Sequence, residues 1–329
     1  MNARHAEWRF RLREQAGTLA AALLFVLLFA LFLSKHGGGA SLDVATTAAN
    51  KGVLLAFVAV AQLIVVLTAG IDLSVGMVFV LANCLASHLV VGTPAQSALG
   101  MAAVLAVGAA CGLVNGLVIV FGRLQPIIVT LATGTLYYGL ALGLRPVPGG
   151  AVQTDLADAV TGSALGVPSM LVVLLAMLAV VWWPLRRSTI GRALYAIGSS
   201  EPAAYMSGVP IGRAKLMAYT LSGTLAAAGG LLLTFVTYSG EASAVIGGTY
   251  TLNSIAAVVI GGASLAGGAG SAVGAVFGAL ALRTIGDLLF VFDLDPLWQP
   301  LFQGLILLAA VSLAGLRLLH LRNRLELYR

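Results

Sequence analysis

The stretch Leu185-Arg186-Arg187-Ser188-Thr189-Ile190-Gly191-Arg192-Ala193-Leu194-Tyr195-Ala196-Ile197-Gly198, continuing Ser199-Ser200-Glu201-Pro202-Ala203-Ala204-Tyr205-Met206-Ser207-Gly208-Val209, decides how the rest is read. It is basic, polar and punctuated by glycine, and long apolar spans lie on both sides of it. Ser200 suits the cap of a short helix, Glu201 and Pro202 its first turn, and Gly208 its end. This predicts a helix of about two turns outside any apolar layer. An ordinary loop needs neither cap, nor the small pair Ala203 and Ala204, nor an aromatic Tyr205 beside them. The segment reads as a built surface that meets another molecule.

Composition explains why it stands apart. Of 329 residues, 60% are hydrophobic and 9% charged, with a mean hydropathy of +1.01. A soluble domain carries about 25% charged residues, so this chain lacks the polar surface to cover a water-exposed fold. It reads as an all-α polytopic membrane protein, because the apolar runs are too long and too unalternating for barrel strands. The net charge of +6 fits basic loops on one side of a membrane. There is no basic run with interleaved aromatics, so no nucleic acid is expected. Cys84 and Cys111 both fall inside apolar spans, and His5, His36, His88 and His320 are scattered. No disulfide framework and no metal site are expected.

Candidate spans are Gly17–Ser34, Gly52–Gly70, Leu73–Val91, Ala98–Phe121, Pro126–Leu144, Pro168–Pro184, Leu216–Thr237, Leu252–Gly262, Gly270–Phe290 and Gln299–Leu316. The first resembles a signal peptide in place but lacks a small-residue cleavage site, so it reads as a retained helix. Leu252–Gly262 is short of the roughly 20 residues a crossing needs, and reads as a broken or re-entrant helix. That makes about ten segments. Lys35, Lys51 and Arg145 fall on one side and Arg283 within a span, while the other fourteen of the eighteen Lys and Arg share the side of the N-terminus. The asymmetry places both termini in the cytoplasm. Trp182 and Trp183 suit one interface and Trp298 the other. The chain divides into an N-terminal arm (1–16), one transmembrane domain (17–316) with a cytoplasmic segment at 185–215, and a tail (317–329).

Four motifs carry the polar chemistry. In Leu67–Gly76, Gly70 suits a helix end, and Asp72 is placed to accept the amide of Ser74 or Val75. In Gly122–Leu131, Pro126 suits a first helical turn, Gln125 its cap and Arg123 an interface anchor, and Thr130 and Thr133 either face a polar path or bond their own backbone. In Tyr250–Gly268, Asn253 and Ser254 precede a glycine cluster of the kind transporters use to break helices. Arg283 and Asp287 are four apart and read as a neutralising pair. Gly108, Gly112 and Gly116, and again Gly270, Gly274 and Gly278, recur at the spacing that lets helices pack closely. None of Lys35, Lys51 and Lys215 lies in a phosphate-cradling loop, and no esterase elbow or metalloprotease helix occurs. The chain reads as no enzyme, with no cofactor of its own.

Gly70-Ile71-Asp72-Leu73-Ser74-Val75-Gly76, then Gln125-Pro126 with Val129-Thr130-Leu131, then Gly191-Arg192 through Ala203-Ala204 to Ser207-Gly208-Val209, then Ile255–Gly262 with Ser264-Leu265 and Gly267-Gly268, stand in this order between Ala49 and Val311. Together they resemble the permease subunit of ribose-type ABC sugar importers of the bacterial inner membrane. The resemblance implies a ten-helix importer fold and a dimer of permeases, homodimeric or related heterodimeric. It also implies a separate ATPase that holds ATP and Mg, and a periplasmic sugar-binding protein. It makes Ser200, Glu201, Pro202, Ala203, Ala204, Tyr205, Met206, Ser207 and Gly208 the coupling helix to that ATPase. Two departures stand out: Ala69 occupies a place where members often have glycine, and Thr251 and Asn253 stand where an acidic pair is common. The expected cargo is a monosaccharide or small polyol, whose hydroxyls need partners to replace water. Asp72, Asn115, Gln125, Thr130, Asn253 and Ser254 are the candidates for the path. Two other readings are a permease for a branched-chain amino acid or nucleoside, and an ion-coupled carrier or channel working without an ATPase.

Overall fold

The computed structural model describes residues 3–302, with Gly304, Leu305, Leu308, Ala309 and Ser312 beyond them, and side chains from residue 15 onward. The arm before residue 15, most of the last expected span and the tail therefore lie wholly or partly outside the described residues. The helices are α1 (Ala3–Lys35), α2 (Leu42–Val66), α3 (Val75–Leu89), α4 (Pro94–Gly122), α5 (Pro126–Leu144), α6 (Thr154–Thr161) and α7 (Ser169–Met177). After α7 come a π-helical turn (Leu178–Trp182), α8 (Trp183–Arg187), α9 (Thr189–Ser199), α10 (Glu201–Met206), α11 (Ile211–Thr237), α12 (Ala244–Ile260) and α13 (Ala272–Val291). A two-residue hairpin, β1 (Ser163–Ala164) and β2 (Val167–Pro168), precedes α7. Among the described residues seven helices are long and apolar enough to cross a membrane, the continuous run from α7 through α8 (Ser169–Arg187) counting as one, and α3 and α12 are shorter apolar helices.

The core is α2 and α3. Every residue of α2 from Gly52 to Val66 is buried, which its continuous apolar sequence permits only in the middle of a bundle. Around this pair stand α4, α5, α7, α11, α12 and α13, with α1 packed mainly on α13. Small residues set the spacing. A Cβ added to Gly112 would come within 2.0 Å of the Tyr219 carbonyl oxygen, and one on Gly278 within 2.1 Å of the Ala257 carbonyl oxygen. These are backbone-to-backbone approaches, as the glycine repeats predict. Gly270 is the exception: it lies in the turn before α13, with φ +156°.

Four expectations need correcting. The segment read as Leu252–Gly262 starts at Ala244 and runs 17 residues. Gly247-Gly248 does not break it, because Ser243 caps the helix and Gly247 lies against Gly76, where a Cβ would meet the Gly247 oxygen at 1.9 Å. The second helix begins at Leu42, so Lys51 sits within a helix and not in a loop. The stretch 147–167, which the candidate spans leave as a connection between Leu144 and Pro168, is not all loop; it folds the helix α6 over Thr154–Thr161. Of the tryptophan pair only Trp183 is exposed, with the Arg187 guanidinium 4.1 Å over its ring, while Trp182 is buried.

The chain leaves the helix at the glycine cluster after Ile260, where Gly262, Gly267 and Gly268 hold positive φ, and a second break lies between α2 and α3, where Ala69 holds φ +60°. Left-handed backbone costs a residue with a Cβ about 1–2 kcal/mol, and Ala69 bears that cost here. Ala69→Gly is expected to stabilise the chain by about 1 kcal/mol, read as a rise in its unfolding temperature in detergent.

Candidate functional site

Between α2 and α3 the eight residues 67–74 belong to neither helix and deliver Asp72 into the interior, 1% exposed. A carboxyl group there must be bonded. Its Oδ1 accepts from the Ser74 amide at 2.9 Å and from the Ser74 hydroxyl at 2.6 Å, and its Oδ2 accepts from Ser222 of α11 at 3.2 Å. The Gln62 amide, oriented by its hydrogen bonds, donates to the Asp72 carbonyl at 2.9 Å and accepts from the Asp72 amide at 3.2 Å. Ser74 Oγ accepts from Asn115 of α4 at 2.8 Å. Asn115 Oδ1 in turn accepts from Thr133 of α5 at 2.6 Å and from Tyr137 at 3.3 Å. Thr130 accepts the Leu73 amide at 2.9 Å and donates to the Pro126 carbonyl at 2.8 Å. Thr251 of α12 accepts the Gly76 amide at 3.1 Å. One polar network thus ties the α2–α3 break to α4, α5, α11 and α12.

The sequence candidates divide accordingly. Asp72, Asn115 and Thr130 meet in this buried network. Ser254 is buried too, but donates to the Thr251 carbonyl of its own helix at 2.7 Å. Gln125 occupies the N-cap position of α5 yet makes no cap bond and lies exposed. Asn253 is half-buried on the outer side of α12. Gln62, Ser222, Thr133 and Tyr137 were not singled out as network members from sequence. Isolated polar residues in long apolar helices, at positions far apart in the chain, carry no local signal that they meet.

The basic segment forms α9 and α10. Ser188 accepts the Gly191 amide at 3.0 Å and Ser200 the Ala203 amide at 3.4 Å, so both helices have side-chain caps. Gly208, at φ +76°, ends α10; its amide bonds the Tyr205 carbonyl and that of Val209 the Ala204 carbonyl, the two bonds of a Schellman turn. Ala204 is buried, whereas Ala203 is exposed and Tyr205 and Met206 are 74% and 87% exposed. Lys215 of α11 reaches both Glu201 carboxylate oxygens at 2.8 Å. At its inner end α9 is wedged against the break. A Cβ on Gly198 would lie 2.0 Å from the Leu67 carbonyl oxygen and 2.3 Å from the Gly268 nitrogen. The Gly268 amide bonds the Leu67 carbonyl at 3.1 Å, and Tyr195 donates to the Gly270 carbonyl at 2.8 Å.

Residues 44–311 match the family model described as the branched-chain amino acid transport system / permease component. The ribose import permease of Haemophilus influenzae is 35% identical over 261 residues, 78% of this chain and 80% of the relative. That of Bacillus subtilis is 36% identical over 258 residues, 76% of this chain and 77% of the relative. The fructose import permease of Rhizobium meliloti is 34% identical over 270 residues, 79% and 74%. The chain belongs to the ribose-type ABC import permeases. No solved structure matches it.

In this permease the end opposite α9 and α10 is closed by a second polar set. Asn83 donates to Thr234 at 2.9 Å and to the Ser239 carbonyl at 3.1 Å, and accepts the Glu241 amide at 2.8 Å. Arg145 donates to the Ser87 hydroxyl and carbonyl, both at 3.1 Å. Gly149 and Gly240 pair by backbone bonds of 3.0 and 2.8 Å. The Tyr238 hydroxyl bonds Asp158 of α6, and that contact raises the Tyr238 hydroxyl above its ordinary range. Arg283 and Asp287 pair at 3.4 Å, as their spacing predicts, and Lys51 joins them at 3.4 Å on the same carboxylate oxygen.

Proposed function

We propose that this permease carries a monosaccharide or similar small polyol inward, driven by a separate ATPase that grips α10. The observation that carries the reading is the shape of the α9–α10 unit. It turns Ala203, Tyr205 and Met206 outward, while Gly198, at the junction of its two helices, sits against the Leu67 carbonyl, five residues from Asp72. The basic end is then cytoplasmic, ten crossings place both termini there, and the membrane is the bacterial inner membrane. A periplasmic sugar-binding protein delivers the cargo at the opposite end. The relatives imported ribose and fructose according to their names, which supports the sugar class over an amino acid or nucleoside.

The path runs along the open faces of α5 and α12, not through the buried network. Both helices pack against α3. Their outer faces carry Thr135, Thr249 and Asn253, and a Cβ at Gly139, Gly143 or Gly248 meets nothing within 4 Å. A second permease facing these surfaces encloses the route. Hydroxyls and amides there replace sugar hydration, while the Asp72 network keeps the helices in register behind them.

Two expected outcomes follow. Ala203→Glu changes only an exposed residue, so the chain folds, but recovery of the permease–ATPase complex falls and sugar-stimulated ATP hydrolysis is lost. Wild-type values in both remove α10 from the coupling role, and uptake by proteoliposomes without ATP overturns the ATP-driven reading altogether. Gly248→Phe points into open space, so thermal stability stays within about 0.5 kcal/mol while uptake collapses. Undiminished uptake takes the path away from α12.

A further inference from the structure

Two adjoining cavities of about 280 and 480 Å³ lie between α1, α2 and α13, away from the Asp72 network. They share Ala48, Arg283 and Asp287 as a common wall. The smaller is apolar, walled by Phe25, Phe29 and Leu280. The larger is polar and carries Asp43 and Lys51 beside the shared pair. An aromatic ladder on α1 joins them: Phe25 stacks on Phe29 at 5.4 Å and Phe29 on Phe32 at 5.9 Å. Asp287 stands four residues and Arg283 eight residues before the end of α13, about 6 and 12 Å along the axis. The charges therefore lie below the helix end, where lipid-facing ionised groups are costly and mark function.

The charge cluster is incompletely satisfied. Lys51 and Arg283 both lean on the same Asp287 oxygen at 3.4 Å. Arg283 Nε is buried with no partner among the described residues. Two cations and two carboxylates around one cavity match a ligand that carries both signs, and the apolar slot below them matches a hydrocarbon chain. We propose that this cleft holds one zwitterionic aminophospholipid. Its phosphate is taken by Arg283 and Lys51, its ammonium by Asp43 and Asp287, and one acyl chain lies against Phe25 and Phe29. The lipid fills the gap that leaves α1 so lightly attached to α2. The inference depends on the chain lying in a bilayer, not on what it transports.

The test is photolabelling of the full-length permease in nanodiscs with phosphatidylethanolamine carrying a diazirine in one acyl chain. Labelled peptides are mapped by mass spectrometry. Label is expected on the peptides holding Phe25–Phe29 and Leu280, roughly tenfold above that from the same probe with a phosphatidylglycerol headgroup, which equals 1.4 kcal/mol. Asp43→Asn with Asp287→Asn, which removes the two carboxylates assigned to the ammonium, should remove the preference. Ala48→Phe, which leaves every charge in place and fills the wall between the cavities, should remove the label itself. Equal labelling by both headgroups, label unchanged by Ala48→Phe, or no label at these peptides overturns the proposal. Displacement of the probe by soluble glycerophosphoethanolamine as effectively as by intact lipid also overturns it, assigning the cluster to a soluble phosphate.

Discussion

Asp72→Ala abolishes uptake and lowers the stability of the permease by about 3 kcal/mol or more, because it strands three buried donors. The Ser74 amide, the Ser74 hydroxyl and the Ser222 hydroxyl all donate to this carboxyl group. The loss spreads, since Ser74 also receives Asn115, which receives Thr133 and Tyr137. Asp72→Asn separates bonding from charge. Its oxygen still accepts from Ser74, and its amide finds an acceptor in Ser222, so most of the stability is expected to return. The measurement is unfolding temperature in detergent alongside uptake in proteoliposomes. An alanine variant as stable as the parent shows that the network does not hold the break in place. An asparagine variant that is stable but inactive assigns the charge itself to transport.

Gly198→Val separates the driving segment from the core. A Cβ at this position has no side chain to push aside, only the Leu67 carbonyl oxygen and the Gly268 nitrogen, so α9 must move away from the break. Conformational change in such proteins depends on packed elements with two discrete arrangements, and a wedge at the joint uncouples them. ATP hydrolysis by the assembled complex is expected to persist while uptake falls at least roughly a hundredfold, about 2.7 kcal/mol of lost coupling. Gly208→Ala is the contrast: nothing lies within 4 Å of its Cβ, and its φ of +76° costs only local strain at the end of α10. Coupled uptake in Gly198→Val at the parental rate would show that force does not cross this joint.

Local chemistry was legible wherever neighbours in sequence are neighbours in space. The caps of α10, Ser200 and Gly208, and the bond from Asp72 to the Ser74 amide are contacts across two to four residues, and each stands as the sequence implies. The i,i+4 pair of Arg283 and Asp287 is of the same kind. The start of α12 was not legible, because a Gly-Gly pair that breaks an isolated helix is held here by close contact with Gly76, 171 positions earlier in the chain. Lys51 looked like a loop residue until a helix and Asp287 surrounded it. Among the residues proposed for a path, the structure buries Asp72, Asn115, Thr130 and Ser254 and leaves Gln125 exposed and Asn253 half-buried, a division that depends on how α3, α5 and α12 pack.

By itself the sequence determined the apolar helices, the polar segment between them and the side on which basic residues gather. These follow from the cost of leaving backbone or charge in hydrocarbon, which every residue meets regardless of its neighbours. Only the tertiary structure decided which polar groups meet. Asp72, Asn115, Thr133 and Ser222 come from four different parts of the chain, and a hydrogen bond forms by distance and angle, to which sequence separation is indifferent.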